Sequence, residues 1–572
     1  MSFDIVIKNG RILDGTDNPW FRANVGVKDG KIIKISRVDI GKGERNIDAK
    51  DMMVVPGFIN IHAHTEGTIL TQNRCESSLK QGITTEMAGP NGGSLYPIKE
   101  EMKELLKKRL GVEVDWLTLA DWRRSLERKG IGINIAPLVG HDPIRTYVMC
   151  HTYDTSHWPY VVGKGGERVK PTKEEMEEMK RLVAQAMEDG AFGLSTGLAF
   201  GPSSRYASNE EIAELCKVVA RYGGIYHSDA REIPAVIEGF KELIKIAEMG
   251  GVPATRTIMK AYGEENWGTP IEAIRIMNRT RVRGIDITFD QYPWMYTNES
   301  NLGRWFLPID STNEIVHRGF KDKEELEKTL NDVKDDEKWE RMKREQIERW
   351  ERDRKATEET VRRLEKEGLG VGMEWWDPAN YEYIVYSKTH PEIVGKNFQE
   401  VAEAMGIGDY LDAIRKVWID DGGETYTCSG KMCKEDVIAI MKHPTTAITS
   451  DGFAFDERPP AYAPQHPRSW GTYPRVLQWV REKRVLRLED AIRKMTSLPA
   501  QIFQIRDRGL LREGMWADIV IFNPKTVKNN ATYGNPCQSP DGIPYVLVNG
   551  KIVIDEGEHT GVLAGRVLFH KP

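Results

Sequence analysis

The chain has 572 residues, and its 81 lysines and arginines stand against 86 aspartates and glutamates, which gives a formal net charge of −5. This balance provides no general attraction to nucleic acid or to an anionic membrane, and we expect neither as a partner. The six cysteines are spread along the chain rather than arranged as a disulfide framework, and no signal peptide or spanning segment is apparent. We therefore expect a cytoplasmic globular protein that binds a small-molecule substrate, and we leave open whether it forms a homo-oligomer.

The two ends of the chain carry short alternating apolar segments that are typical of strands. They lie at residues 3–7, 23–27 and 31–35, and again at 517–522 and 545–553. We predict a small β-sandwich domain built from residues 1–55 and 506–572. Two unrelated flanking hairpins are the alternative.

The middle of the chain, residues 56–505, alternates apolar runs of strand length with helical patterns. Thr172 and Glu175 form a capping box, which predicts the start of one helix. Near-continuous apolar strands separated by helices indicate a parallel sheet covered on both faces, and eight of them predict an α/β fold, a (β/α)₈ TIM-type barrel. An open doubly wound sheet is less favoured, because no GxGxxG follows the first strand. The eight runs are residues 54–61, 83–88, 133–139, 192–195, 225–226, 253–258, 285–289 and 447–449.

A charge-dense stretch at residues 321–367 interrupts this rhythm between the seventh and eighth strands. Its mixed signs predict solvated helices within a helical insertion at about residues 310–440 rather than a nucleic-acid site. The aromatic segment 372–377 could cover a substrate mouth or form part of the core of the insertion.

The clearest chemical signal is the pair His62 and His64 at the end of the first predicted barrel strand. Side chains two apart on a strand share a face, so both imidazoles point the same way. Paired imidazoles can bind one divalent metal, and the carboxyl ends of barrel strands carry the catalytic groups of this fold. Two polar residues that merely cap a strand are the alternative. The preceding residues 56–58 and the flanking β domain favour a metal site.

Further segments extend this signal along the chain: residues 81–85, 190–198, 221–226, 265–268, 450–452, 466–469, 494–500, 516–520 and 557–561. In them the chain resembles the amidohydrolase superfamily and, within it, the D-aminoacylase (N-acyl-D-amino-acid deacylase) group, over nearly its whole length. The resemblance implies a (β/α)₈ barrel with a small β domain and divalent metal at the barrel mouth.

Three positions depart from the pattern of this family. Asn91 stands where the family has a cysteine ligand, and Asp229 and Ile258 stand where it has histidine ligands on strands five and six. An amide oxygen is a weak substitute for a thiolate, and isoleucine cannot bind a metal at all. Strand four also lacks a lysine that could be carbamylated. We therefore predict one metal ion rather than two.

The resemblance leaves one metal site, formed by His62, His64 and Asp451, to which His227 or Asp229 could add a ligand. These harder ligands suit Mn²⁺ or Zn²⁺, and the choice between the two stays open. By the resemblance, Asp451 also accepts a proton from the water that the metal activates. An N-cap in the turn at 450–452 is the alternative role for Asp451.

The resemblance also implies a substrate-binding set. Lys260, Tyr292 and Arg468 match positions at which the family holds a substrate carboxylate, and Asp290 is expected to orient Lys260 or a ligand. The two cations would favour an acidic or enolate-like oxygen. Of His227 and Asp229, one could bind metal while the other acts as a catalytic acid.

Three functions follow from this reading. The first is a metal-dependent hydrolase in which activated water attacks a carbonyl of a small, cyclic or carboxylate-bearing substrate; the resemblance implies an amide or imide C–N bond. The second is a cyclohydrolase that opens the ring of a cyclic 1,3-dicarbonyl at a C–C bond. The third is an inactive binding scaffold, suggested by the three altered ligands and opposed by the retained His62, His64 and Asp451.

Overall fold

A computed structural model describes residues 2–154, 162–164, 168, 170–199, 201, 203–231, 236–306, 320, 322–366, 377–456 and 465–571. Nearly all of the aromatic segment at 372–377 lies outside these residues, so its place relative to the barrel mouth stays a prediction. Within the described ranges, no helix is both long and apolar enough to cross a membrane.

Eight parallel strands form the predicted barrel, which the structure confirms. The third strand is interrupted at Leu138; its first part pairs with the second strand and its last part with the fourth. The strands are Phe58–Asn60, Ile83–Ala88, Asn134–Pro137 continued by Val139–Gly140, Gly193–Gly197, Ile225–Asp229, Ala254–Arg256, Ile287–Gln291 and Thr446–Ile448.

Backbone hydrogen bonds close the barrel between its last and first strands. The amide of Asp451 donates to the carbonyl of His62 at 3.0 Å, and the amide of His64 donates to Gly452 at 2.9 Å. The closure therefore brings residues almost 400 positions apart in the sequence to one point on the carboxyl rim.

Helices connect the barrel strands and bury their apolar faces against them. The predicted capping box is confirmed, since Thr172 Oγ1 accepts from the amide of Glu175, and the Glu175 carboxylate accepts from the amide of Thr172. The helices are Thr65–Thr68, Glu76–Lys80, Lys103–Leu110, Leu119–Lys129, His141–Met149, Lys173–Glu188, Asn209–Arg221, Val236–Gly250, Thr269–Val282, Lys434–Lys442, Arg468–Lys483, Leu488–Met495 and Ser497–Ile502.

The two chain ends share one nine-stranded sheet, as predicted for the small β domain. They meet where Met53–Pro56 pairs antiparallel with Ile519–Phe522, which excludes two unrelated hairpins. Apolar side chains from both ends form one buried cluster. The strands are Phe3–Ile12, Phe21–Lys28, Lys31–Ser36, Gly43–Asp48, Met53–Pro56, Ile519–Phe522, Tyr545–Val548, Lys551–Asp555 and Glu558–His559. The domain boundaries after residues 55 and 505 stay predictions.

The apolar run at 54–61 is shared between the two domains rather than forming one strand. Met53–Pro56 belongs to the β domain, and Phe58–Asn60 is the first barrel strand. Gly57 lies between them so close to Thr84 that a Cβ on Gly57 would lie 2.2 Å from Thr84 Oγ1. The crowded junction therefore requires glycine, which has no side chain.

The insertion between strands seven and eight has its own apolar core, which includes Phe306, Trp339 and Trp418. Its helices are Lys323–Lys334, Asp336–Lys366, Pro378–Tyr381, Phe398–Met405 and Tyr410–Asp420. It also contains a three-stranded sheet of Tyr296–Asn301, Glu382–Tyr386 and Tyr426–Lys431, which the prediction of a helical insertion lacked. Two of these strands, Tyr296–Asn301 and Tyr426–Lys431, are rich in polar residues, so their sequence carries no clear alternation.

Candidate metal and active site

His62, His64 and Asp451 lie together at the carboxyl rim of the barrel. The Asp451 Oδ1 atom is 3.2 Å from His62 Nε2 and 3.0 Å from His64 Nε2. His62 is fully buried and the side chain of His64 is 17% exposed, so this group opens to solvent on one side. Asp451 has a φ of 52°, a left-handed backbone that few residues other than glycine, asparagine and aspartate adopt readily.

Asp290 on strand seven joins His62 to His227. Its Oδ2 lies 3.3 Å from His227 Nε2, and its Oδ1 lies 3.7 Å from His62 Nδ1 and accepts the Ile258 amide at 3.1 Å. Although burial opposes ionisation, the two histidines lower the pKa of Asp290 to about 2. His62 thus has one carboxylate on each side of its ring, Asp451 near Nε2 and Asp290 near Nδ1.

The donor set fits a divalent metal ion. In the described part of the chain, two groups bring ligand atoms within 4.8 Å of one another: His62, His64 and Asp451, and His62, His227 and Asp290. Both ring nitrogens of His62 and Nδ1 of His227 are buried and make no hydrogen bond of normal geometry. Buried polar atoms are usually paired, so these nitrogens are available as metal ligands.

Electrostatics sets the charge of these groups in the metal-free protein. Burial would raise the pKa of Asp451, but Arg468, His62 and His64 hold it well below its usual range. Burial would lower the pKa of His62, but Asp451 and Asp290 raise it above its ordinary value. Burial lowers the pKa of both His64 and His227. Two of the three histidines are therefore held neutral, as metal ligands must be.

Asp229, predicted as a metal ligand or acid, binds two cations, and both of its predicted roles stay predictions. One of its oxygens accepts from Arg256 Nη1 at 2.9 Å and the other from Lys260 Nζ at 3.2 Å. Asp229 is in neither of the two ligand groups. Asp290 is therefore the better carboxylate candidate beside His227, because it lies in a ligand group with that histidine whereas both oxygens of Asp229 already bind cations.

The other two altered positions are both occupied by uncharged side chains. Ile258 is fully buried, and its amide binds Asp290. Asn91 has a left-handed backbone with a φ of 53°, and its Oδ1 is buried without a hydrogen bond. Isoleucine cannot bind a metal and an amide oxygen is a weak ligand, so the loss of one metal site stays a prediction.

The expected substrate residues surround Asp451. Arg468 donates from Nη1 to Asp451 Oδ2 at 2.7 Å, and its guanidinium lies over the ring of buried Tyr292 at 5.5 Å. Lys260 is 6% exposed and interacts electrostatically with Asp229, Asp451 and Tyr292. Of the two roles expected for Asp290, contact with Lys260 is not observed and contact with histidine ligands is.

Sequence reasoning missed two buried charged residues. Arg256, which binds Asp229, was an isolated charge in an apolar strand, and that contrast was a usable signal. Glu66 follows His64 by two positions; burial raises its pKa to about 7, and its Oε2 accepts the Gly89 amide at 3.2 Å. By contrast, His141 is held by Glu211 at 2.9 Å as part of a buried ion pair.

Comparisons with known proteins agree with this geometry. Residues 433–554 match the model of the amidohydrolase family. The chain is 30% identical to N-acyl-D-aspartate deacylase of Alcaligenes xylosoxydans xylosoxydans over 98% of its length and 93% of the relative's. It superposes with a TM-score of 0.72 on N-acyl-D-glutamate deacylase from Bordetella bronchiseptica, solved with zinc and a phosphonate inhibitor, at 27% identity and 100% coverage of both chains.

A D-aminoacylase structure described as having a binuclear metal centre, with one-metal activation and second-metal attenuation, gives a TM-score of 0.71 at 26% identity. It is matched over 99% of this chain and all of its own. Sequence and fold therefore agree over essentially the full length: the chain belongs to the D-aminoacylase group of the amidohydrolase superfamily, whose members are metal-dependent amide hydrolases.

Proposed function

We propose that the protein hydrolyses a C–N bond of a small cyclic or carboxylate-bearing carbonyl compound, with one divalent metal held by His62, His64 and Asp451. The observation that carries this proposal is the convergence of these three ligand atoms at the carboxyl rim of the barrel, where Arg468 binds Asp451. When bound, the metal supplies Lewis acidity that polarises a carbonyl and lowers the pKa of a coordinated water. Mn²⁺ and Zn²⁺ both suit the ligands, and the deacylase from Bordetella was solved with zinc.

Side chains of the protein orient the metal ligand, transfer protons and bind the substrate. Asp290 faces the second nitrogen of His62 and so orients that ring, as carboxylates do for metal-binding histidines. Asp451 accepts the proton that the attacking water loses. Arg468 and Lys260 bind the negative oxygens of the substrate through charge-assisted hydrogen bonds. His227, beside Asp290 and the His62 ring, is neutral before the reaction and relays to the leaving group the proton that Asp451 has accepted.

A second candidate is hydrolysis of a C–C bond in a cyclic 1,3-dicarbonyl, favoured by the buried Lys260 ammonium that Asp229 binds. In that reaction water adds to one ketone, the adjacent C–C bond breaks, and its electrons pass to the second carbonyl as an enolate. A proton then returns to carbon, which leaves an open-chain keto acid. An enolate leaves with its charge on oxygen, so it profits from a fixed cation, whereas an amine needs a proton.

A substrate panel tests both candidates. The purified chain, loaded with Mn²⁺ or Zn²⁺, is assayed with N-acetyl-D-amino acids, cyclic imides and cyclic 1,3-diketones, alongside the metal-free protein. We expect metal-dependent turnover of a small cyclic compound and little turnover of N-acetyl-D-amino acids. Robust deacylation with no preference for the cyclic compounds would return the protein to the ordinary deacylases. No bound metal and no turnover would support the inactive scaffold.

A further inference from the structure

We propose that Asp229 is a positioning residue: clamped by Arg256, it fixes the Lys260 ammonium at the metal pocket, where that ammonium stabilises the oxyanion that develops on the substrate. The proposal rests on the proposed function, and it assigns roles to Asp229 and Arg256 that metal binding does not explain.

Two consecutive ion pairs link Arg256 in the barrel wall to Asp229 and then to Lys260. Arg256, which ends strand six, donates from Nη1 to Asp229 Oδ1 at 2.9 Å and to the Thr257 carbonyl at 2.6 Å. The other oxygen of Asp229 accepts from Lys260 Nζ at 3.2 Å. Arg256 and Asp229 are both fully buried, so water cannot replace either partner. The ammonium of Lys260 is therefore bound by Asp229, whose own position is fixed by Arg256.

These linked ion pairs lead towards the candidate metal site. Lys260 is 6% exposed, and its charge interacts with Asp451, Tyr292 and Arg468, the residues that surround the candidate metal pocket. Asp229 lies two residues from His227 on the same strand, and that histidine contacts Asp290. The ammonium thus lies 3.2 Å from Asp229, at the end of strand five, and its charge acts on Asp451. A fixed cation at this place stabilises negative charge on a substrate oxygen without reorganising.

Stability alone does not account for this arrangement. The Nε and Nη2 atoms of Arg256 are buried and make no hydrogen bond. Buried ion pairs commonly contribute less to stability than apolar residues of similar volume, and unpaired guanidinium nitrogens add to the cost. Costly buried polar groups are expected at functional sites.

A double-mutant cycle on a substrate that the wild-type enzyme turns over separates positioning from structure. We expect Lys260→Met to lower kcat roughly 100-fold, as the loss of one oxyanion donor does. Asp229→Asn should lower kcat roughly 10-fold or more, and the double variant should be no slower than Lys260→Met, because Asp229 acts through Lys260. Metal content should stay at the wild-type level in all three.

Controls keep the cycle interpretable. Asp229→Asn removes the carboxylate that neutralises the charge of Arg256. The variant Asp229→Asn/Arg256→Met, which lacks both charges, is therefore made as well. It should show the same loss of kcat. Glu211→Gln removes the charge that pairs with Arg145 in a buried ion pair outside both ligand groups, and it should lower thermal stability but not kcat. Reductive methylation of Lys260 in metal-free protein gives a readout without substrate, and it should be faster in Asp229→Asn.

The possible outcomes separate a failure of the proposed function from a failure of the positioning role of Asp229. A wild-type enzyme without turnover on the panel contradicts the proposed function. An active wild-type enzyme in which the effects of Asp229→Asn and Lys260→Met multiply, or in which Asp229→Asn loses its metal, overturns the positioning role. Unchanged kcat in both Asp229 variants would overturn it too.

Discussion

Arg468 and Asp451 form an ion pair in which Arg468 Nη1 lies 2.7 Å from Asp451 Oδ2, while Oδ1 of the same carboxylate faces His62 and His64. One carboxylate therefore joins the candidate metal ligands to the cation expected to bind substrate. A substrate anion bound by Arg468 would compete with Asp451, which would couple substrate binding to the residue that we propose as the general base.

This pairing predicts the effect of removing the guanidinium. Arg468→Gln should raise KM about 10-fold or more, because a hydrogen bond to a charged group is worth roughly 1.5–3 kcal/mol. Steady-state kinetics on the active panel substrate measures it, with Arg475→Gln as the control. Arg475 stacks on Trp294 at 4.1 Å and contacts no metal group. Equal KM values for wild type and Arg468→Gln would remove Arg468 from the substrate site.

Asp451→Asn should impair turnover more than metal binding. An amide still offers one oxygen to a metal but cannot accept the proton, and loss of general-base catalysis costs roughly 100-fold or more in kcat. Asparagine also tolerates the left-handed backbone of Asp451, so the change introduces no new strain. Kinetics and elemental analysis on the same sample test this. Retention of most activity would show that Asp451 is not the base.

Metal affinity should fall as the pH is lowered, and the fall should begin above pH 6.5. A metal-binding histidine must be neutral, and the pKa of His62 is raised above 6.5 because Asp451 and Asp290 outweigh its burial. Protons therefore compete with the metal at a higher pH than for an ordinary histidine. Asp290→Asn removes one of these carboxylates and should move the onset to lower pH. Titrations at several pH values measure both, and an identical onset would contradict this account of His62.

Gly57→Ala tests the junction between the two domains. The added Cβ would lie 2.2 Å from Thr84 Oγ1, so we expect a destabilisation of about 1–3 kcal/mol, as for overpacked cores. Gly408→Ala is the matched control, since a Cβ there meets no atom within 4 Å. Denaturant unfolding of the two variants gives the comparison. Equal stabilities would show that strand one moves freely relative to strand two.

Local patterns were enough to predict the barrel and the paired chain ends, because strand periodicity and the HxH spacing are properties of neighbouring residues. The pairing of Asp229 with Arg256 was not predictable in this way, since it depends on the register between strands five and six. The approach of Asp290 to His62 depends likewise on closure of the barrel. The sheet of the insertion was missed because two of its three strands are rich in polar residues.

The central claim is a single metal centre built on His62, His64 and Asp451. The most direct test is the metal content of the chain after reconstitution with excess Mn²⁺ or Zn²⁺ and exhaustive dialysis, measured by elemental analysis. His141→Gln serves as the histidine control, because His141 pairs with Glu211 and lies in neither ligand group. We expect close to one ion per chain in the wild type and in His141→Gln, and close to none in His62→Ala/His64→Ala. Two tightly bound ions in the wild type, or one that survives the loss of both histidines, would contradict the account.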